Sequence, residues 1–456
     1  MRIVWEEVGC ALSVNKVSAN VKFMVRALRY RNYRLFFSGQ IISQTGTWMQ
    51  VIAMNWLVYR LTDSAFMLGT LNFFNHVPGF LLGPVAGVVA DRFNRHKILI
   101  VTQTLAMLQA VLLAVLVLTG KIEVGHLLGL GFVLGCINAF DLTARQAFVV
   151  DTVEEKDDLS NAIALNSIII SGSKLVGPSI AGILIALVGE GVCFLINAAS
   201  FIPVLAALLS MRLRTSDDRE KVRNSPFHEM HEGYLYAYRF PPICYTVLLL
   251  GLVNLTGTAY IALMPVFAHD VFAGDSHTLG ILMGVTGLGA ICGAAFLASR
   301  SSTAGLERLI PWAVALLGIT LIVFSQTNLF LIGLIALFFT GLGSIVHIAS
   351  SGTLMQSLVD EDKRGRVMSL YSMSFGMTPF GNLLAGVMAS YIGAAATIGI
   401  GGLICVTGAM LFISKLRDIE RYTKTDEQNM MSDKAYEEVL RDESQISKKE
   451  ACLERR

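Results

Sequence analysis

The chain has 456 residues, 54% hydrophobic and only 15% charged, with a net charge of +2 at pH 7 and a mean hydropathy of +0.60. Soluble chains carry about 25% charged residues, so this composition excludes a water-soluble globular enzyme. A net charge this small, with no basic patch interleaved with aromatics, gives no nucleic-acid surface. The charges fall in short runs between long apolar stretches, the pattern of a chain that alternates between lipid and water.

The N-terminal segment, 1–34, is basic, with Lys16, Lys22, Arg26, Arg29, Arg31 and Arg34. It has no apolar centre of the kind a signal peptide needs, so the first spanning helix is expected to act as its own insertion signal. A span takes about 20 mostly apolar residues. Such stretches predict helices at 35–58, 66–90, 97–119, 124–149, 160–188 and 190–211. After a polar midpoint loop, 212–242, further spans follow at 243–269, 278–299, 307–326, 328–355, 366–391 and 394–415, and a charged tail, 417–456, closes the chain. The expected fold is an all-α polytopic membrane protein with about twelve transmembrane helices. Its two pseudo-symmetric six-helix bundles are expected at 35–211 and 243–416.

Lysine and arginine set the orientation. With the N-terminus inside, the outer loops hold only Arg60 and Lys121. The inner loops then hold Arg92, Arg95, Lys97, Arg300, Arg308, Lys363, Arg364 and Arg366, with the midpoint loop and tail. Both termini are therefore expected in the cytoplasm. Two helices also share a spacing. Gly177-Pro178 begins a run with Gly182 and Gly189, and Gly381 begins one with Gly386 and Gly393. Small residues at such intervals let helix backbones approach closely, and their repetition argues for a duplicated unit with a site between the halves.

The seven cysteines are scattered without metal-ligand spacing, and no metal or cofactor is expected. No phosphate loop, zinc-protease motif, nucleophile elbow or dinucleotide fingerprint occurs. ATP is therefore not the direct energy source, and the chain is not read as an enzyme.

The loop after the second span reads Gly87-Val88-Val89-Ala90-Asp91-Arg92-Phe93-Asn94-Arg95-His96-Lys97. It resembles the signature loop of the major facilitator superfamily, G-x-L-A-D-R-x-G-R-R/K, with Val89, Asn94 and His96 as departures. Asn94 stands for a glycine, a substitution that left-handed backbone tolerates better than most. Asp362 to Leu370, Gly177-Pro178 and the Asn197-Ala198-Ala199 stretch are similar to the branch of enterobactin exporters and macrolide efflux proteins. The resemblance covers about 30 to 416. It implies alternating access and a gate made of Gly87, Asp91, Arg92, Arg95 and Asp151. In that gate Asp91 would accept hydrogen bonds from the start of the eleventh helix, and Arg95 would pair with Asp151. A topology-setting basic loop is the plainer reading.

Charges inside spans are costly and mark function by default. Asp141 and Arg145 lie four residues apart on one helical face. Asp141 is the candidate proton-coupling carboxylate, with Arg145 and Lys174 as counter-charges; a static helix-locking ion pair is the alternative. The resemblance implies that helices 1, 4, 7 and 10 line the cavity. Gln44, Asn55, Asn254 and His347, with His76 of helix 2, are the substrate-cavity candidates, and structural hydrogen bonding is the alternative for each.

The resulting expectation is a secondary transporter of a bacterial cytoplasmic membrane, monomeric in the lipid bilayer. It would export a small amphiphilic molecule of the drug or siderophore class against protons. Lysophospholipid flipping and a non-transporting sensor are the rival readings.

Overall fold

The computed structural model describes residues 26–153, 155–211, 240–300, 305–359 and 361–416. Most of the N-terminal segment, nearly all of the midpoint loop and the charged tail lie outside the described residues, as do the side chains of Asp362, Lys363, Arg364 and Arg366. Among the described residues the structure is entirely helical.

A short turn at Arg26–Arg29 precedes α1 (Arg31–Thr62), α2 (Ala65–Arg92) and α3 (Arg95–Leu118). Next come α4 (Val124–Thr152), α5 (Lys156–Val188) and α6 (Glu190–Ser210). The second half holds α7 (Pro241–Val271), α8 (Ser276–Ala298), α9 (Leu306–Gln326) and α10 (Phe330–Ser357). It ends with α11a (Glu361–Phe375), α11b (Thr378–Ile392) and α12 (Ala394–Ser414). Ten of these helices are long and apolar enough to cross a membrane by themselves. The exceptions are α1, which carries buried Gln40, Gln50 and Asn55, and the eleventh, which is broken.

The break is local chemistry. The ring of Pro379 excludes the carbonyl of Phe375, four residues back, and supplies no N–H to it. The chain turns at Gly376 and Met377, with the Phe80 ring against Gly376. Helix α7 departs from regularity in another way. Wide turns at Val253–Gly257 and Phe267–Val271 close i→i+5 bonds, Thr258 N to Val253 O at 3.1 Å and Phe272 N to Phe267 O at 3.0 Å.

Within the first bundle α2 packs on α4, α3 on α6 and α3 on α4. The second bundle repeats this, with α8 on α10, α9 on α12 and α9 on α10. Across the bundles α5 meets α8, and α2 meets α11b. The repeated glycines lie at these seams. A Cβ on Gly182 would come within 2.7 Å of the Cα of Gly280, and one on Gly386 within 2.8 Å of the Cα of Gly69. Only glycine allows the backbones so close. Gly189 and Gly393 then end their helices with φ of 80° and 85°, a conformation that favours glycine.

The core is asymmetric along the membrane normal. The largest apolar cluster takes residues from both bundles, among them Met54, Leu57 and Leu71 of the first and Leu263, Phe267 and Met283 of the second. The other two clusters each belong to one bundle. They lie toward the end that carries Arg92, Arg95 and Lys97, here called the basic end. Gly69 on α2 touches the second bundle, whereas nothing comes within 4 Å of a Cβ on Gly79, Gly83 or Gly87 nearer that end. The bundles are joined at the far end and part toward the basic end, leaving a cavity that opens there.

Candidate functional site

At the basic end, Arg95 starts α3 and ties three helices together. Its Nη1 lies 3.5 Å from Asp151 and donates to Ala147 O at 3.2 Å. Its Nε donates to Ala90 O at 3.3 Å, and its Nη2 lies 3.7 Å from Asp91. The expected Arg95–Asp151 pairing is present. The Asp91 side chain is 63% exposed, and among the described residues α11a gives it no hydrogen bond. Gly87 and Arg92 also face open space. Asn94 corrects the sequence reading: its φ is −67°, and it caps α3 by accepting from His96 N at 3.0 Å and Lys97 N at 3.3 Å. An N-cap favours asparagine directly, so no left-handed backbone is involved.

Deeper in, Asp141 is 3% exposed and holds three donors. Arg145 contacts one carboxylate oxygen. Thr102 Oγ1 at 2.8 Å and Gln103 Nε2 at 2.7 Å donate to the other. With its amide oxygen turned inward, Gln44 accepts from Arg145 Nη2 at 2.9 Å. The set links α1, α3 and α4.

Lys174 is not part of it, contrary to the expectation that it would be a counter-charge to Asp141. Its ammonium sits 5.3 Å from the ring centroid of Trp48, within range of a cation–π contact. Lys174 on α5 and His76 on α2 are both exposed although each lies in the middle part of its helix.

Of the other cavity candidates, Gln44 is half-buried beside Arg145. Asn55, Asn254 and His347 are 2%, 3% and 0% exposed and do not reach the cavity in this conformation. Asn55 accepts from Asn72 Nδ2 at 2.8 Å, Asn254 bonds its own helix at Leu250 O, and His347 lies 3.4 Å from Ser351 Oγ. Pro178 sits at the α5–α8 seam, its carbonyl 3.2 Å from where a Cβ on Gly280 would lie. Gly177 and Gly381 hold equivalent places: the first is pressed against Trp48 of α1, the second against Leu255 of α7.

Two constellations escaped the sequence reading. At the far end Tyr59 donates to Asp270 at 2.6 Å, bridging α1 and α7, while His269 Nδ1 lies 2.7 Å from the same carboxylate. At the basic end Asp158 is 3% exposed. It is gripped by Arg26 at 2.8 Å, Arg29 at 2.8 Å and the Tyr30 hydroxyl at 2.9 Å. The basic run Arg26–Arg31 was the available signal for the second; the first had none.

The model of a family described as transmembrane secretion effector matches residues 24–447. The staphyloferrin A transporter of Staphylococcus aureus is 28% identical over 84% of this chain and 96% of its own length. Macrolide efflux protein A of Streptococcus pyogenes is 24% identical over 86% and 99%. The enterobactin exporter EntS of Escherichia coli is 24% identical over 88% and 95%. Among solved structures, an inward-facing bacterial homologue of the lysosomal transporter Spinster superposes with a TM-score of 0.65 at 14% identity, over 86% of this chain and 98% of the other. An inward-facing bacterial homologue of ferroportin gives 0.63 at 16%, over 85% and 98%. The open cavity between two six-helix bundles and the match along nearly the whole chain agree: the protein is a transporter of the transmembrane secretion effector family, within the major facilitator superfamily.

Proposed function

We propose that the protein exports a small amphiphilic molecule of the siderophore or drug class by alternating access, in exchange for protons across a bacterial cytoplasmic membrane. The observation that carries this is the lopsided join between the bundles. One continuous core seals the far end, and separate cores leave the basic end open. By the positive-inside rule the basic end is cytoplasmic, and in an exporter that is the side from which the cavity loads. The staphyloferrin A and enterobactin relatives support the substrate class.

The bundles, 35–211 and 243–416, rock about the glycine seams at Gly69–Gly386 and Gly182–Gly280, and the site lies between them. Closing the cytoplasmic side brings α11a to the bare face of α2 at Gly87, where Asp91 and Arg92 wait. Arg95 and Asp151 keep the ends of α2, α3 and α4 in one piece as this happens. Asp141 is the one acid placed mid-span among the described residues, which makes it the candidate carrier of the coupling proton. Protonation removes its charge and frees Arg145 to respond. The protein acts as a monomer.

The test is uptake of amphiphilic dyes into inside-out vesicles with an imposed pH gradient. Uptake that a protonophore abolishes, and that Asp141→Asn abolishes in folded protein, is the expected result. Gradient-independent lysophospholipid movement would replace this reading with lipid flipping. Ligand binding by folded protein without any flux would replace it with a sensor.

A further inference from the structure

We infer that the cavity holds a binding site for a carboxylate-bearing amphiphile, centred on Lys174 and Trp48, and so discriminates against cationic molecules of the same shape. The inference rests on the transport reading for its setting but specifies the charge of the cargo.

The charges inside the spans do not balance. Asp141 is matched by Arg145. Lys174 has no carboxylate within ion-pair distance among the described residues. In the second bundle the described acids sit at helix ends: Asp270 and Asp275 at the far end, Glu307 at the basic end. Nothing facing Lys174 from across the cavity is therefore negative. A charge at this depth is costly unless it is paired, and the indole face of Trp48 compensates an ammonium only in part. An anionic group on the cargo would complete the pairing.

The surroundings are built to present that charge. Gln44 and Trp48 are four residues apart on α1 and so share a face, with Arg145 against one and Lys174 against the other. Thr45 Oγ1 lies 3.3 Å from Ser173 Oγ, the neighbour of Lys174, and Gly177 one turn on lets Trp48 press against α5. These contacts fix α1 against α5, which holds the ammonium in place at its aromatic seat. A charge-assisted hydrogen bond in this setting corresponds to roughly tenfold or more in affinity.

The test is calorimetric titration of the purified full-length protein with naphthalene mono- and dicarboxylates, their neutral amides and trimethylammonium counterparts, beside vesicle flux of the same compounds. The carboxylates are expected to bind about tenfold or more tightly than the amides and cations. Lys174→Gln should erase that preference at unchanged thermal stability, and Lys174→Arg should keep it. Carboxylate binding no better than that of the cations, or a preference untouched in Lys174→Gln, overturns the inference. The two readings separate cleanly. Gradient-driven flux without Lys174-dependent charge selection leaves export standing and removes the anion site. Charge-selective binding without flux leaves the site standing and removes export.

Discussion

Both bundles bring backbones together at glycine, as at Gly135 against Asn75 and Gly39 against Val204 in the first, but the first adds a chain of side-chain bonds that runs from helix to helix. Asn197 of α6 donates to Gln50 of α1 at 2.7 Å, and Gln50 donates to Gln109 of α3 at 2.8 Å. Gln109 passes the chain to Leu130 O of α4 at 3.2 Å. The Asp141 set lies one layer nearer the basic end. The second bundle offers shorter links, Thr320 with Thr340 at 2.9 Å, Thr256 with Cys405 at 3.6 Å and Tyr371 to Ile348 O at 3.3 Å, beside its glycine contacts. A Cβ on Gly318 would fall 2.6 Å from the carbonyl oxygen of Gly402, and one on Gly343 2.7 Å from that of Ala313. Directional bonds fix rotation and depth, so groups carried by such helices are held in place. Glycine contacts give close packing without directional bonds and leave small shifts cheaper. Among the described residues the charges placed mid-span, Asp141, Arg145 and Lys174, all lie in the bundle with the longer chain of side-chain bonds.

This contrast can be broken most forcefully at the buried ion pair. Arg145→Met leaves Asp141 charged and unmatched, and thermal unfolding of the purified protein should show a loss of about 3–5 kcal/mol. Asp141→Leu with Arg145→Met should recover most of it, since two apolar groups need no partner. Equal losses from the single and double variants would mean that the pair is not a unit. In the second bundle Gly318→Ala forces a methyl onto a backbone oxygen and should cost about 1–3 kcal/mol. Gly79→Ala, whose added methyl meets nothing, should instead stabilise its helix by about 0.5–1 kcal/mol. If the two alanines behaved alike, close backbone approach would not be what holds the second bundle. Gln50→Leu strands Gln109 and Asn197 and should cost about 1–2 kcal/mol, against about 0.6 kcal/mol for Thr340→Val. Similar losses in the two would erase the difference between the bundles.

Helix positions were legible because lipid demands long apolar runs and water demands charge at their ends. The bounds of α6 and α12 came out within a residue for that reason. The glycine repeat was legible as packing, since its spacing has few other uses, although the sequence did not say which helix each glycine would meet. The Arg95–Asp151 pair was reachable through the resemblance. The partners of Asp141 were less so: an i,i+4 pattern reveals a partner on the same helix, but Thr102 and Gln103 stand on another. For Lys174 the sequence suggested a carboxylate, and the structure gave it an aromatic ring, because Trp48 lies where α1 crosses α5. The break in α11 was missed because Gly376 and Pro379 lie in a stretch, 367–393, without a charged residue, which reads as one span by length.

The last prediction concerns the strut between the bundles. Tyr59 and Asp270 are 211 positions apart in sequence and form the one side-chain-to-side-chain hydrogen bond that joins the two halves among the described residues. The tyrosine ends a helix held by polar ties, while the aspartate sits in the second wide turn of α7, where the helix is most easily rewound. Tyr59→Phe removes one bond and keeps the ring. A bond to a charged acceptor that is 49% exposed contributes at the low end of its range, about 1 kcal/mol, which corresponds to roughly a fivefold shift in a two-state equilibrium. The shift should favour opening at the far end, read as a longer-distance population between spin labels at Thr62 and Ala273 in protein without other reactive cysteines. The ratio of the state open at the basic end to the state open at the far end should fall by the same factor, and Asp270→Asn, which keeps an acceptor for the hydroxyl, should move it less. Unchanged distances in Tyr59→Phe would mean that the far end is held shut by its apolar core alone, and that the two bundles meet there as smoothly as the helices within the second one do.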